Sequence, residues 1–192
     1  MNEAVDIKFA KVHPNATIPS KRDEDMGFDI YACFDEDYIM INPHETKLIP
    51  TGIASACSSD YGFLVFERGS TGSKGIARRC GVIDSGYRNE WFIGLTNTTN
   101  KTLYISKLSK EEIIDRMYNA DDMSKKWDGI FGNIVSIKDN LENNIFVYPY
   151  SKAIAQALVV PVPKTNVQEV HYDELKTIES ERGMGALGSS NK

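Results

Sequence analysis

The sequence predicts an all-β domain of the sandwich, barrel or jelly-roll kind, carrying one helix-bearing insertion. Short β-type runs closed by turn residues follow one another up to about residue 108, and a longer strand pattern returns at Ala153 to Val162. Between them, residues 107 to 147 change to a helical rhythm. At 192 residues the chain holds one domain with a real core, and a second full domain is cramped.

Ile7-Lys8-Phe9 alternates inward and outward, and Tyr38-Ile39-Met40-Ile41 is a β-rich run closed by Asn42-Pro43. Lys47 to Ile53, Gly62 to Phe66, Trp91 to Leu95 and Leu103 to Ile105 follow at close intervals. In the insertion, Ser109-Lys110-Glu111-Glu112 has the form of a capping box. Ile113, Ile114, Met117 and Tyr118 fall on one helical face, and Glu112 pairs with Arg116 at i,i+4. Two readings of this segment stand. Its apolar face packs on the β domain, or part of it, with Trp127, Ile130 and Phe131 near Gly129 and Gly132, forms an exposed patch for a protein partner. The tail, Glu181 to Lys192, is rich in Gly and Ser and buries too little apolar surface to order itself alone.

A net charge of −5 argues against a surface built for nucleic-acid phosphates, although a small phosphate pocket needs only a few cations. The start, MNEAVDIKFAK, lacks the apolar stretch of a signal peptide. The apolar run from Ala157 to Val162 is far too short to span a bilayer, so neither a nucleic-acid nor a membrane partner is expected. Cys33, Cys57 and Cys80 have no CxxC spacing and read as reduced intracellular thiols. His13, His44 and His171 sit in no metal-ligand spacing.

Five segments carry chemistry. Gly27-Phe28-Asp29-Ile30 puts a carboxylate in a strand-like context. The loop from Arg68 through Gly69, Ser70, Thr71, Gly72, Ser73 and Lys74 to Gly75 sets backbone N–H groups and hydroxyls between two cations, a way to cradle phosphates. Gly81-Val82-Ile83-Asp84 followed by Ser85-Gly86-Tyr87 reads as a hairpin with a carboxylate and an aromatic at its turn. Gln156 is a lone polar group in an apolar strand, and Arg182-Gly183-Met184-Gly185 with Gly188-Ser189-Ser190 is a second loop able to grip phosphate. Taken singly each has a plainer explanation: a solvated loop, a turn Asp, a Gln satisfying a backbone group, a loose end.

Together, in this order, the five resemble the motifs of the trimeric dUTP pyrophosphatases: GFDI, an RSGxAxK-type loop, GVIDxxYRGE, the IAQ strand and a carboxy-terminal RGxGGFGSTG. GVIDSGYRNE at 81 to 90 is the most specific match. The resemblance is to the phage and Gram-positive type, with an insertion between the third and fourth motifs. It implies a jelly roll or distorted β-barrel over 1–106 and 148–178, an inserted segment at 107–147, and a flexible arm at 179–192. It also implies a homotrimer in the cytoplasm of a bacterial or phage-infected cell, converting dUTP and water to dUMP and pyrophosphate.

Residue by residue, the resemblance makes Asp84 the general base for a water attacking the α-phosphorus in line. Tyr87 packs on the deoxyribose and excludes a 2′-hydroxyl. The backbone at Gly81, Val82 and Ile83, with the strand near Phe92, reads uracil. Arg68, Gly69 and Ser70 hold the triphosphate, and Gln156 adds a hydrogen bond. Mg²⁺ rides mainly on phosphate oxygens and waters, with Asp29 a water-mediated support. Arg182, Leu187, Gly188 and Ser189 belong to an arm that closes over the nucleotide, usually on a neighbouring subunit.

The chain departs from the family in several places. Arg-Ser-Gly is Arg68-Gly69-Ser70, the charged Gly-Asp-Arg before Ile-Ala-Gln is Ser151-Lys152-Ala153, and the uracil-stacking Phe of the tail is Leu187. Relatives with Leu there carry an aromatic pair in the third motif, and Trp91-Phe92 is the matching pair here. Of the rivals, the related dCTP deaminases would need their catalytic Glu at Gly94, and a binding protein without catalysis would not need Asp84, Tyr87, Arg68 and Arg182 together. Some phage relatives also bind a repressor, which makes the insertion a candidate site for such a partner.

Overall fold

Alternation sets the first strand: Ile7 and Phe9 turn inward in β1 (Ile7–Lys11) while Lys8, Ala10 and Lys11 face out. The structure, a computed structural model, describes residues 4–120 and 140–180. By contacts the chain divides into Met1–Val162 and Pro163–Lys192. The first unit is built almost wholly of strands. β1 pairs with β5 (Ile53–Cys57), and β3 (Tyr38–Ile41) pairs with β10 (Thr102–Ser106), which pairs with β11 (Ile145–Pro149). β2 (Phe28–Ile30), β12 (Ala155–Pro161), β6 (Tyr61–Phe66) and β8 (Val82–Ile83) form a sheet in that order. β4 (Thr46–Pro50), β9 (Phe92–Asn97) and β7 (Ile76–Arg79) form the last. The all-β architecture expected from the sequence is the one observed.

The core is closed by Trp91, fully buried, whose ring lies 5.0 Å from Phe63 and 5.8 Å from Phe9. Its backbone is clamped as well: its N–H donates to Ile53 O at 2.8 Å, and Thr51 Oγ1 donates to its carbonyl at 2.7 Å. Burying an aromatic of this size dominates local packing energy.

Three expectations need correction. The run Lys47 to Ile53 is not one strand. It breaks at Gly52, whose φ of +66° is left-handed and where a Cβ would meet Ala16 Cβ at 2.8 Å and Cys33 Sγ at 2.9 Å, so β4 and β5 enter different sheets. The residues around Asp84 do not form a hairpin, because β8 pairs with β6 while the strand that follows, β9, pairs with β4 and β7. And β11 starts at Ile145, inside the segment read as inserted, pairing parallel with β10 from Thr102↔Ile145 to Ser106↔Pro149.

That parallel pairing explains the segment. Parallel neighbours cannot be joined by a tight turn and need a crossover, commonly helical, that packs back on the sheet. A short helix, α1 (Gly69–Gly72), precedes it in the chain, and α2 (Lys110–Ala120) opens the crossover, whose described residues turn helical again at 140–144. Its capping box forms: Glu112 N–H donates to Ser109 Oγ at 3.2 Å, and Ser109 N–H to Glu112 Oε2 at 2.7 Å. With Glu112 so used, Arg116 pairs with Asp37 rather than with Glu112. Ile113 and Ile114 are buried with Tyr104 and Ile145, and Met117 packs against them. The packed reading of this helix face is the observed one; Trp127, Ile130 and Phe131 lie outside the described residues. In the second unit, the described residues hold a single short helix, α3 (Tyr172–Thr177), with no buried side chain.

Candidate active site

The chemistry-bearing residues fall at two ends of the sheet β2-β12-β6-β8. At one end Asp29 on β2 pairs in register with Gln156 on β12, which pairs with Phe66 at the end of β6. One residue further on is Glu67, whose carbonyl accepts from Gln156 Nε2 at 2.8 Å. Next comes Arg68, which meets Asp29 with both arms of its fork: Nε to Oδ1 at 2.8 Å and Nη2 to Oδ2 at 3.2 Å. Strand register thus brings together groups 39 residues apart in the chain.

The loop after Arg68 is a helical turn rather than an irregular glycine-rich loop. Buried Thr71 fixes it, accepting from Arg68 N–H and donating to Arg68 O, each at 3.0 Å. The N–H groups of Thr71 and Gly72 turn back to the same carbonyl. Ser70 Oγ lies 3.4 Å from Arg68 Nη1, so the hydroxyl shifted by one position still stands beside the guanidinium.

These side chains line an open cavity of about 900 Å³ that gathers Asp29, Arg68, Gly69, Ser70 and Gln156. It also takes in Ser20, Lys21, Arg22 and Asp25 from the loop bridged to β2, which no motif marks, and Lys152 from the turn before β12, which the sequence marked only as a departure from the family. Arg22 grips Asp25 through Nε at 2.8 Å and Nη2 at 2.7 Å, and these bonds push the Asp25 carboxyl down to about 2. Lys21 Nζ donates to the Asp25 carbonyl at 2.9 Å. Only the isolated bridge Ser20↔Asp29 carries this loop to the cavity, and nothing local in the sequence announces it. Lys74, at the far end of the same segment as Arg68, lies elsewhere, over the rings of Phe146 and Tyr148 at 5.9 and 5.8 Å. It is not part of the cradle the sequence suggested.

At the other end stand Gly81, Val82, Ile83, Asp84 and Tyr87. Gly81 is required: a Cβ there would meet Val65 O at 2.8 Å, and its own carbonyl accepts from Val65 N–H at 2.7 Å. Val82 pairs with Leu64 and Ile83 with Phe63, which carries Asp84 out beyond the paired residues towards Gly62. Asp84 is exposed and its carbonyl accepts from Tyr87 N–H at 3.0 Å. Tyr87 is fixed by its hydroxyl, which donates to Glu90 O at 3.1 Å. Glu90 in turn accepts from Gly52 N–H at 2.7 Å. Val82, Tyr87 and Phe92 are 71%, 38% and 43% exposed, an unusual cost for side chains of this size on one segment. Trp91 is not the exposed half of an aromatic pair; it belongs to the core, and only Phe92 can meet a ligand. Gly94 has no room for a deaminase glutamate, since even a Cβ would meet Arg79 O at 2.9 Å.

Register separates the two ends. Gln156 lies opposite Phe66, whereas Asp84 extends towards Gly62, four residues along β6 and on its other flank. At about 3.3 Å per residue and about 4.8 Å per strand, that is on the order of 15 Å. Arg182, Leu187, Gly188 and Ser189 lie outside the described residues. Among the described residues no group of three or more His, Cys, Asp or Glu side chains could hold a metal, and no helix is long and apolar enough to cross a membrane.

The sequence profile of the dUTPase family matches residues 14–110, which include both the Arg68 loop and the Asp84 turn. The deoxyuridine 5'-triphosphate nucleotidohydrolase of Nautilia profundicola is 27% identical over 194 residues, covering 97% of this chain and 99% of its own. The dUTPase of Staphylococcus bacteriophage 80alpha was solved with dUpNHpp and described among phage dUTPases that control transfer of virulence genes. It superposes with a TM-score of 0.65 at 19% identity, over 97% of this chain and 99% of its own. The dUTPase of phage phi11 of Staphylococcus aureus, solved as a variant with a structural Mg(II) ion, gives a TM-score of 0.59 at 18% identity, over 88% and 99%. With the family profile covering 97 of 192 residues, and both the Arg68 loop and the Asp84 turn inside the match, this chain belongs to the dUTPase family and is a dUTP diphosphatase.

Proposed function

We propose that this protein converts dUTP and water to dUMP and pyrophosphate at sites shared between the subunits of a homotrimer, with Asp84 as the general base. One observation carries the shared site. A base must come within hydrogen-bond reach of the water it activates beside the α-phosphorus, while Arg68 must reach the same triphosphate. In a single chain Asp84 stands on the order of 15 Å by register from Gln156, which lines the same cavity as Arg68, so the Asp84 turn of one copy is read as facing the Arg68 cavity of another. The exposed Val82, Tyr87 and Phe92 gain a reason in the same arrangement, since a neighbour or a nucleotide covers them.

In this reading the triphosphate lies along Arg68, Gly69 and Ser70, and Asp29 keeps the guanidinium aimed. Gln156, anchored on Glu67 O, holds the base of the cradle. Uracil is read by the backbone of Gly81, Val82 and Ile83 and by Phe92. Tyr87, immobilised through Glu90, closes on the deoxyribose and leaves no space for a 2′-hydroxyl. Asp84 takes the proton of the attacking water as its oxygen bonds to phosphorus and pyrophosphate leaves. Arg182, Leu187, Gly188 and Ser189 close over the nucleotide and exclude bulk water. Both Asp29 oxygens face Arg68, so Asp29 fits Mg²⁺ only through a bridging water, and the ion would be held mainly by the substrate. Such an ion supplies charge neutralisation and orientation of the phosphate chain. The reaction removes dUTP from the pool available to DNA synthesis and supplies dUMP, work for the cytoplasm of a bacterial or phage-infected cell.

A test is release of pyrophosphate from dUTP, with dCTP, dTTP and UTP alongside. Turnover of dUTP at least about a hundredfold above the others supports the reading, given what a site shaped around a missing group can reject. Comparable rates on all four would remove it. A second, regulatory role through the crossover is supported by the description of the 80alpha enzyme. Since Ile113 and Ile114 are already buried, that role rests on residues 121–139, and a Gly/Ser link in their place is expected to keep hydrolysis and abolish partner binding.

A further inference from the structure

The cations of the triphosphate cavity are not equally free. Arg68 is held by two bonds to Asp29, and Arg22 by two bonds to Asp25. Lys21 Nζ donates to the carbonyls of Asp25 and Arg22 at 2.9 and 3.3 Å. Among the described residues Lys152 alone of these has no hydrogen-bond or ion-pair partner for its ammonium, although it lines the same cavity as Arg68 and Gln156.

Its backbone is anything but loose. Lys152 N–H donates to Pro149 O at 3.0 Å, the next carbonyl, that of Ala153, accepts from the buried Tyr148 hydroxyl at 2.7 Å, and Ile154 N–H donates to Ile30 O at 2.8 Å. Ala153 is itself buried, so the turn is pinned to the core on one side and offers the Ser151 and Lys152 side chains to the cavity on the other, of which only the lysine carries charge. A free ammonium on a fixed turn meets an incoming polyanion at full strength. Arg68 and Arg22 must share their charge with carboxylates already in contact.

We propose that Lys152 is a substrate-binding residue of this enzyme, pairing with the triphosphate of dUTP through an ammonium that no other group of the cavity holds. This rests on reading the Arg68 cavity as the triphosphate site. The role is one of binding: Lys152 moves no proton and its charge attracts substrate and transition state alike, so it acts on KM rather than kcat.

The test uses the full-length chain and its Lys152→Gln and Lys152→Arg variants. For Lys152→Gln, KM for dUTP is expected to rise roughly three- to tenfold, the range for a partly exposed charge on phosphate. The kcat is expected to hold within about twofold, the melting temperature within about 2 °C, and the rise of KM with added salt to flatten. Lys152→Arg restores KM, because charge and not shape is what counts. An unchanged KM in Lys152→Gln, or a loss that arginine fails to rescue, overturns the assignment. If the parent chain itself fails to hydrolyse dUTP, the cavity reading falls and Lys152 with it; if the parent is active and Lys152→Gln matches it, only Lys152 is misassigned.

Discussion

At one end of the β2-β12-β6-β8 sheet, Arg68 and Asp29 hold each other in two hydrogen bonds and Thr71 locks the turn beside them. At the other, Asp84 stands exposed beyond the last paired residue of β8, and Val82, Tyr87 and Phe92, on the chain before and after it, are exposed as well. In the first region Arg68 is already paired with Asp29 and the turn's backbone is satisfied within one chain, and of the cavity's cations only Lys152 is left without a partner among the described residues. The second is a rigid but uncovered element, fixed by Gly81, Glu90 and Gly52 yet presenting apolar surface to solvent. The contrast teaches why the proposed function divides binding and chemistry between separate parts of the fold and needs another copy to join them.

The sharpest way to break that division is at the chemical end. Asp84→Asn is expected to fold and bind dUTP while losing about 10²–10⁴-fold in kcat, since an amide matches the shape but cannot take the proton. Retention of a tenth of the activity would place the base elsewhere. Mixing then tests the separation itself. Arg68→Gln chains and Asp84→Asn chains, each inactive alone, are expected to regain a sizeable share of wild-type turnover once subunits exchange, because some sites receive an intact residue from each. Exchange confirmed by mass spectrometry with no recovery would put both groups of a site in the same chain.

The crossover helix belongs to neither end, and Ile113→Ala isolates it. Removing that buried side chain is expected to cost about 2–5 kcal/mol in denaturant unfolding, with kcat/KM for dUTP unchanged at 25 °C. A parallel fall in activity would tie α2 to the site. Tyr87→Ala probes the uncovered end more gently: the ratio of kcat/KM for dUTP over UTP should narrow by about tenfold or more, and an unchanged ratio would mean another residue reads the sugar. The smallest effect is at the cavity rim. The Asp25 carboxyl lies at about 2, below its ordinary 3.8, so its bonds to Arg22 persist above about pH 4 and are lost as pH falls through 2. A carboxyl NMR titration of Asp25 with a midpoint near its ordinary value would show the clamp absent.

Much of this was legible in the sequence because it is local. GVIDSGYRNE sets the proposed base Asp84 and the proposed sugar-packing Tyr87 within ten residues, and Ser109 with Glu112 announces a helix start that forms as written. The misreadings share a cause. Leu48-Ile49-Pro50-Thr51-Gly52-Ile53 is continuous as a hydrophobic pattern, and only the crowding of Gly52 by Ala16 and Cys33 shows why it must break. β5 and β7 carry small or charged residues that advertise no strand, and they exist because β1 and β9 pair with them. Trp91 reads as a stacking partner next to Phe92 until the core claims it.

By itself, then, the order of residues determined the family, the all-β class and the helix start, and it singled out the acid, cations and aromatic proposed for the chemistry, since each depends on neighbours within a few positions. Only the tertiary structure decided that Arg68 is aimed by Asp29, that Lys21, Arg22 and Lys152 join the same cavity, that Lys74 does not, and that Asp84 lies at the opposite end of the sheet. Those outcomes turn on register between strands far apart in the chain. A one-residue slip would send each side chain to the other face, and register is set by the packing of the whole core rather than by any single segment.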